Sequence, residues 1–264
     1  MIYRTDYHVH TIFSDGKGYP KDYIAPAIKA GLAEIGFSDH LTLTDIQQDW
    51  SILPSRIQEY CDNVLALKNR SKNIKIRLGL EVDYLPGKED LIYNTIKNLP
   101  LDYVIGSVHY LDNLSVDISP SFYEGEDIDK IFDRYFSSVE AAASTGLFDI
   151  IAHPDLVRLY GYTPATNPEP LYRRLALSLK KHDVAIEINT NGMNKPLADF
   201  YPDRRYLPIF SEAGVAVCVN SDSHHPSKIA QFFDEAYALA IASGFTGMAV
   251  FEEGERTVIP IEGL

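Results

Sequence analysis

Short apolar runs and longer amphipathic stretches alternate seven times along this chain, and that rhythm restricts the possible folds more than any other feature. The runs span 2–7, 34–38, 74–82, 103–108, 149–152, 184–189 and 215–220. Helical patterning follows each, around 21–31, 55–71, 88–98, 127–145, 168–182, 203–213 and 227–243. A strand, a crossover helix and a second strand make a parallel pair, so the repeat predicts an α/β fold built on a parallel sheet. Seven units suit a closed or nearly closed barrel, and a wound open sheet carries a similar pattern. Gly31, Gly146, Gly214 and Gly244 stand where helices should stop. Pro54 and Pro226 fall near helix starts, where a missing N–H costs little. Runs at 248–251 and 257–261 predict an edge strand or a C-terminal flap. Segments 41–53 and 111–125 are polar or irregular and follow strands, which makes them long loops over one rim.

Size and charge bound the function. At 264 residues and 45% hydrophobic content the chain can bury one core without splitting, so residues 1–264 are expected to form a single domain. The net charge of −13, from 37 acidic against 24 basic residues, argues against nucleic-acid binding through a basic face. A phosphorylated substrate stays compatible with it, because bound cations reverse the field inside a pocket. Cys61 and Cys218 fall in a helical and an apolar segment and read as packing residues, not as a disulfide framework. No apolar run approaches the ~20 residues of a membrane span, and no basic-then-apolar leader opens the chain. The expectation is a cytoplasmic protein without a membrane partner, with a homo-oligomer left open.

Six of the 8 histidines occupy one kind of position. His8 and His10 close the first run in Asp-Tyr-His-Val-His-Thr, and His40 closes the second in Phe-Ser-Asp-His. Glu81 ends the third, His109 the fourth and His153 the fifth, while Asp222 and His224 follow the seventh. In a parallel barrel the C-terminal ends of the strands meet at one rim, where active sites are built. Alternate strand residues share a face, so His8 and His10 can point at one cation. A single histidine of this kind is more often a hydrogen-bonded core or surface residue. Scattered neutral histidines do not account for six imidazoles and two carboxylates at six strand ends. Imidazole and carboxylate without thiolate suit Zn, Mn or Fe. Eight or more such residues exceed the about three or four that one zinc takes from protein, which implies two or three divalent ions.

The blocks His-Val-His-Thr, Ser-Asp-His, Gly-Leu-Glu-Val-Asp-Tyr, Gly-Ser-Val-His, Ala-His-Pro-Asp and Ser-Asp-Ser-His-His together resemble the polymerase and histidinol phosphatase (PHP) superfamily. Leu-Pro-Leu-Asp-Tyr-Val-Ile-Gly-Ser-Val-His-Tyr and Glu-Ile-Asn-Thr-Asn-Gly-Met-Asn-Lys-Pro are similar to its histidinol-phosphate phosphatase branch. The resemblance implies a distorted (β/α)7 barrel with a trinuclear site. By motif, His8, His10, Glu81 and Asp222 would hold one ion. Glu81 would bridge to a second with His109 and His153, and Asp15, His40 and His224 would hold a third. Some members carry histidine where this chain has Asp15.

The activity implied is hydrolysis of L-histidinol phosphate to L-histidinol and phosphate in histidine biosynthesis, through a metal-bridging hydroxide. The alternative is another phosphomonoester, such as phosphotyrosine, a sugar phosphate or a nucleotide. Nuclease chemistry and a non-catalytic metal-binding module are weaker readings of the same ligands. Glu81, Asp222 and His225 are the expected catalytic residues. Arg158, Arg204 and Arg205 are candidates to grip phosphate, since a planar guanidinium matches its oxygens. His225, beside a proposed ligand, would touch phosphate or protonate the leaving group. Asp39 and Asp155 are expected to orient neighbouring ligands. Tyr84, Tyr110, Tyr123, Tyr160 and Tyr162 are rim aromatics that could stack on an imidazole or phenyl ring. His182 ends a Lys-Lys-His helix as a favourable charge.

Overall fold

The computed structural model of the protein describes residues 2–112 and 114–261, so Asn113 of the 111–125 loop lies outside the described residues, as do residues 1 and 262–264. Seven strands follow in chain order, each overlapping a predicted run: β1 (Thr5–Asp6), β2 (Glu34–Phe37), β3 (Lys75–Asp83), β4 (Tyr103–Ser107), β5 (Ile150–Ile151), β6 (Ala185–Asn189) and β7 (Val217–Asn220). They pair in parallel and in sequence order. The choice between open sheet and barrel is made where the ends meet. Tyr7 N donates to Asn220 Oδ1 at 2.9 Å, Ser221 N donates to Asp6 Oδ1 at 2.9 Å, and Val9 bridges Ser223 in parallel. Side-chain oxygens thus stand in for carbonyls that so short a first strand cannot offer. The result is a nearly closed seven-stranded barrel.

Seven helices surround it: α1 (Pro20–Lys29), α2 (Ile57–Lys68), α3 (Glu89–Ile96), α4 (Ile128–Ser144), α5 (Glu169–His182), α6 (Leu207–Glu212) and α7 (Phe233–Ala242). The longest, α4, shows why they form. Asp127 accepts the Lys130 N–H as N-cap, and Ile131, Phe132, Tyr135, Phe136, Val139, Ala142 and Ala143 line one buried stripe. The four predicted stop glycines all have positive φ, between 71° and 95°. Two helices are shorter than the patterning predicts. Residues 227–243 break into a 3-10 turn (Pro226–Lys228) and α7, because Ala230 and Phe232 take left-handed φ of 53° and 57°. In 203–213, Asp203 Oδ1 takes the Arg205 N–H in a turn, and the helix begins at Leu207.

The final hairpin, β8 (Gly247–Glu252) with β9 (Glu255–Pro260), is antiparallel and is the predicted flap. Ala249, Val250 and Phe251 pack with Tyr7, Tyr103, Ile105, Ile150 and Cys218, and Glu253 and Gly254 N–H groups bond Asp102. The hairpin therefore plugs the end of the barrel at which the strands begin. Tyr103 fills the interior above it. A Cβ at Gly36 or Gly79 would lie 2.3 or 2.4 Å from its ring or hydroxyl, so only glycine lets it sit there. With one end sealed by apolar packing, the opposite rim is left for chemistry.

Candidate metal centre

All nine residues named as ligands gather at the rim where the strands end. They fall in overlapping groups: His10, Asp15, His40 and His224; His8, Glu81 and His153; His8, His10 and Asp222; His40, Glu81 and His109. The elements explain the gathering. β2 stops at Phe37 and the chain resumes as the two-residue strand His40–Leu41, paired with β3 so that His40 sits beside Glu81. Val9 turns its flanking residues inward through its bridge to Ser223, and the rings of His8 and His10 lie 4.9 Å apart. His153 and Asp222 reach the centre from left-handed backbone, φ 22° and 49°. Conformations of this cost persist where the surroundings over-determine them, and they concentrate at functional sites.

Glu81 is the hub. Its Oε2 lies 3.0 Å from His8 Nε2, 2.9 Å from His40 Nδ1 and 3.4 Å from His10 Nε2. Its Oε1 lies 3.2 Å from His153 Nε2 and 3.8 Å from His109 Nε2. Asp222 Oδ1 is 3.3 Å from His10 Nε2 and 3.4 Å from His224 Nδ1, and Asp15 Oδ2 is 3.2 Å from His224 Nε2. One carboxylate has about four acceptor sites, and five imidazoles crowd this one. Both ring nitrogens of His10, Nδ1 of His153 and Oδ1 of Asp15 are buried without any hydrogen-bond partner. Protein-protein hydrogen bonds leave this cluster unsatisfied. Donors spaced ~3–4 Å apart are what ions bound at ~2.1 Å require, and the all-nitrogen-and-oxygen set fits Zn, Mn or Fe.

Electrostatics point the same way. Burial alone would raise the Glu81 carboxyl, but the imidazoles of His40 and His8 hold it well below its ordinary range. Burial would lower His109, yet Asp83 pushes it up to about 10, and the Asp15 hydrogen bond takes His224 to about 9. His10 falls to about 3, through burial and the neighbouring rings of His40 and His224, each 4.2 Å away by centroid. A cation entering the site must displace protons from the raised histidines, since only neutral imidazole ligates.

The centre opens into a cavity of about 290 Å³ whose walls include Trp50, Ile118, Leu156, Leu159 and Tyr201 beside the polar Ser115, Asp117, Asn191 and Lys195. The arginines are not among its lining residues. Arg158 is buried against Asp155, Asp199 and Asp203 at 2.9, 3.1 and 3.4 Å, so its guanidinium is neutralised behind the wall that Leu156 and Leu159 form. Arg204 pairs with Asp199 and Arg205 with Asp203, both at 2.6 Å. His225 borders an adjoining hollow that shares Asp15, Asp222 and His224, with Nδ1 bonded to Ser227 Oγ at 2.8 Å.

Two orienting carboxylates are not those the sequence indicated. Asp39 accepts four hydrogen bonds from Thr11 and Ser14, which shapes the loop after His10. Asp155 receives Arg158, Tyr172 and the Asp203 N–H. Neither carboxylate bonds a proposed ligand side chain, because Asp39 is spent on the loop after His10 and Asp155 on Arg158, Tyr172 and the Asp203 turn. The carboxylates that do are Asp83, 2.6 Å from His109 Nδ1, and Glu187, 2.9 Å from His8 Nδ1. Glu187 also accepts the His153 N–H, Asn189 and Asn220. A glutamate inside the apolar run Val-Ala-Ile-Glu-Ile was the available signal, since an apolar strand carries a charge only where partners wait for it. Of the aromatics, Trp50 and Tyr201 line the cavity in place of the five tyrosines. Tyr123 instead stacks on Tyr162, centroids 4.7 Å apart, and Tyr110 lines a separate hollow.

The PHP domain matches residues 6–191. A probable histidinol-phosphatase of Deinococcus radiodurans is 33% identical over 238 residues, 88% of this chain and 90% of that protein. The histidinol-phosphatase of Lactococcus lactis is 28% identical over 257 residues, 94% of each chain. The crystal structure of histidinol phosphate phosphatase from Lactococcus lactis, complexed with Zn, L-histidinol and phosphate, has the same fold. Its TM-score is 0.83 at 24% identity, over 97% of this chain and 100% of that one. With the domain matched over most of its length and a relative aligned across nearly all of it, this chain belongs to the PHP domain family.

Proposed function

We propose that this chain is a phosphoric monoester hydrolase that converts L-histidinol phosphate to L-histidinol and inorganic phosphate, and that residues 1–264 act as one unit in doing so. The observation that carries the reading is Glu81, one buried carboxylate within 4 Å of five imidazoles beside a cavity of metabolite size. The relatives from Deinococcus radiodurans and Lactococcus lactis are named as a probable histidinol-phosphatase and a histidinol-phosphatase. Divalent ions held by His8, His10, Asp15, His40, Glu81, His109, His153, Asp222 and His224 would supply Lewis acidity toward the phosphoryl oxygens. The chain's own residues do the rest. Asp83 and Glu187 fix the ring orientations of His109 and His8. Trp50, Leu159 and Tyr201 exclude water from the reacting centre. Asn191 and Lys195 are the neutral and cationic donors best placed to hold phosphate at the mouth. His225, its Nδ1 engaged by Ser227, is our candidate to protonate the departing alcohol.

Neither cysteine competes as a nucleophile, since both are buried and Cys218 packs in the plugged end. A small phosphomonoester suits the cavity, and the net charge of −13 disfavours nucleic acid. A cytoplasmic location belongs to the same reading, and two free thiols fit a reducing compartment. Self-association is left to light scattering.

The test is phosphate release by enzyme loaded with Zn or Mn. L-Histidinol phosphate should exceed phosphotyrosine, sugar phosphates and nucleotides in kcat/KM, and Glu81→Ala should lose at least about 10³-fold in turnover together with bound metal. Faster turnover of phosphotyrosine would displace the proposed substrate, and full activity in Glu81→Ala would remove the hub.

A further inference from the structure

Three acidic residues line the cavity: Asp15, Asp117 and Asp222. Two of them face imidazoles of the metal groups. Asp117 belongs to none of those groups, and among the described residues no cationic side chain lies within ion-pair distance of it. The Ser115 hydroxyl donates to its Oδ1 at 2.5 Å.

The backbone that carries Asp117 is pinned. Val116 N donates to the His109 carbonyl at 2.9 Å, and the Val116 carbonyl accepts from Tyr123 Oη at 3.0 Å. Tyr160 Oη donates to the Asp117 carbonyl at 2.5 Å. The carboxylate is therefore held at the cavity wall, one residue from a backbone hydrogen bond to a proposed ligand.

 
Ile118, Leu156 and Leu159 give the same cavity an apolar lining.

An unpaired carboxylate in a phosphate-binding pocket repels the dianion it must admit, and half-burial makes the penalty larger than in water. The arrangement gains affinity only if the same ligand brings a positive charge to that point. We infer that Asp117 is a specificity residue that binds an ammonium group on the alcohol portion of the substrate. The inference deepens the phosphatase reading above and rests on it. The preferred substrate class is then the phosphomonoesters of amino alcohols, with phosphate on the metal side and the ammonium at Asp117. Apolar or aromatic substituents would meet Trp50 and the leucines. Esters of neutral alcohols would leave the carboxylate unanswered. They would be poorer substrates for that reason alone.

The experiment measures kcat/KM of the metal-loaded enzyme on L-histidinol phosphate and on its analogue lacking the α-amino group. Wild type should prefer the aminated ester by at least about 10-fold, the scale of one hydrogen bond to a charged group. In Asp117→Asn that preference should collapse toward unity, with the loss falling on the aminated ester. Equal losses on both esters would assign Asp117 to supporting His109 and overturn the proposal. So would a wild-type preference near unity, which needs no variant to fold. If wild type cleaves neither imidazole ester but does cleave p-nitrophenyl phosphate, the histidinol reading has failed. The ratio of O-phosphoethanolamine to ethyl phosphate, in wild type and in Asp117→Asn, then decides the ammonium claim separately.

Discussion

Glu187 shows how much one residue away from the reacting centre can control. It is fully buried and accepts from His8 Nδ1, the His153 N–H, Asn189 and Asn220. It therefore sets the orientation of one proposed ligand ring and the left-handed backbone of a second. Burial would raise its carboxyl, but His8 keeps it below the ordinary range. Glu187→Gln keeps the shape and exchanges one acceptor for a donor that faces donors. Partners of this kind are worth 10- to 100-fold in metal affinity when lost. Competition with a chromogenic chelator should register a weakening of about that size, and unchanged affinity would reduce Glu187 to packing. The signal for the ligands themselves was strong in the sequence because they end separate strands. Glu187 lies in the middle of β6 and Asp83 closes β3 two residues past Glu81, and in both the charge needs its three-dimensional neighbour to explain it.

At the scale of elements, the barrel divides its labour between its ends. The hairpin β8–β9 closes one end with Phe251, which is 1% exposed and packs against Tyr7 and Tyr103 at centroid distances of 5.6 and 6.1 Å. Removing a buried aromatic ring leaves a cavity and costs about 3–5 kcal/mol. Phe251→Ala should lower the stability measured by urea unfolding by that amount. Metal content per folded molecule should hold, because the ligands sit at the other rim. Loss of metal with retained stability would mean that the two ends are coupled. Strands and their order were legible from periodicity to within a few residues. Helix limits were less so at α6 and α7, where left-handed residues and a side-chain-capped turn interrupt an apolar pattern that continues through them.

For the molecule as a whole, the metal centre and the fold are one problem. Six imidazoles and three carboxylates are brought together without enough protein partners, so ions that bind only the folded chain stabilise it by mass action. At 100 times Kd one site contributes about 2.7 kcal/mol. For a domain of this size that is roughly 5–11 °C in Tm. Exhaustive chelation should lower Tm by at least that much and readdition of Zn or Mn should restore it, as calorimetry would report. An unmoved Tm would contradict ion binding to the native cluster. The sequence by itself determined a repeat of parallel strands and marked the candidate ligands, because strand periodicity and the placing of histidines at strand ends are local properties that a rim then gathers. Only the tertiary structure decided which charges are free to act. Arg158 looked available in sequence and is neutralised by carboxylates up to 45 positions away, while Asp117 sits in a loop without a motif and lines the cavity with no ion-pair partner among the described residues. Whether a charge is spent depends on its neighbours in space, and a linear pattern does not record them.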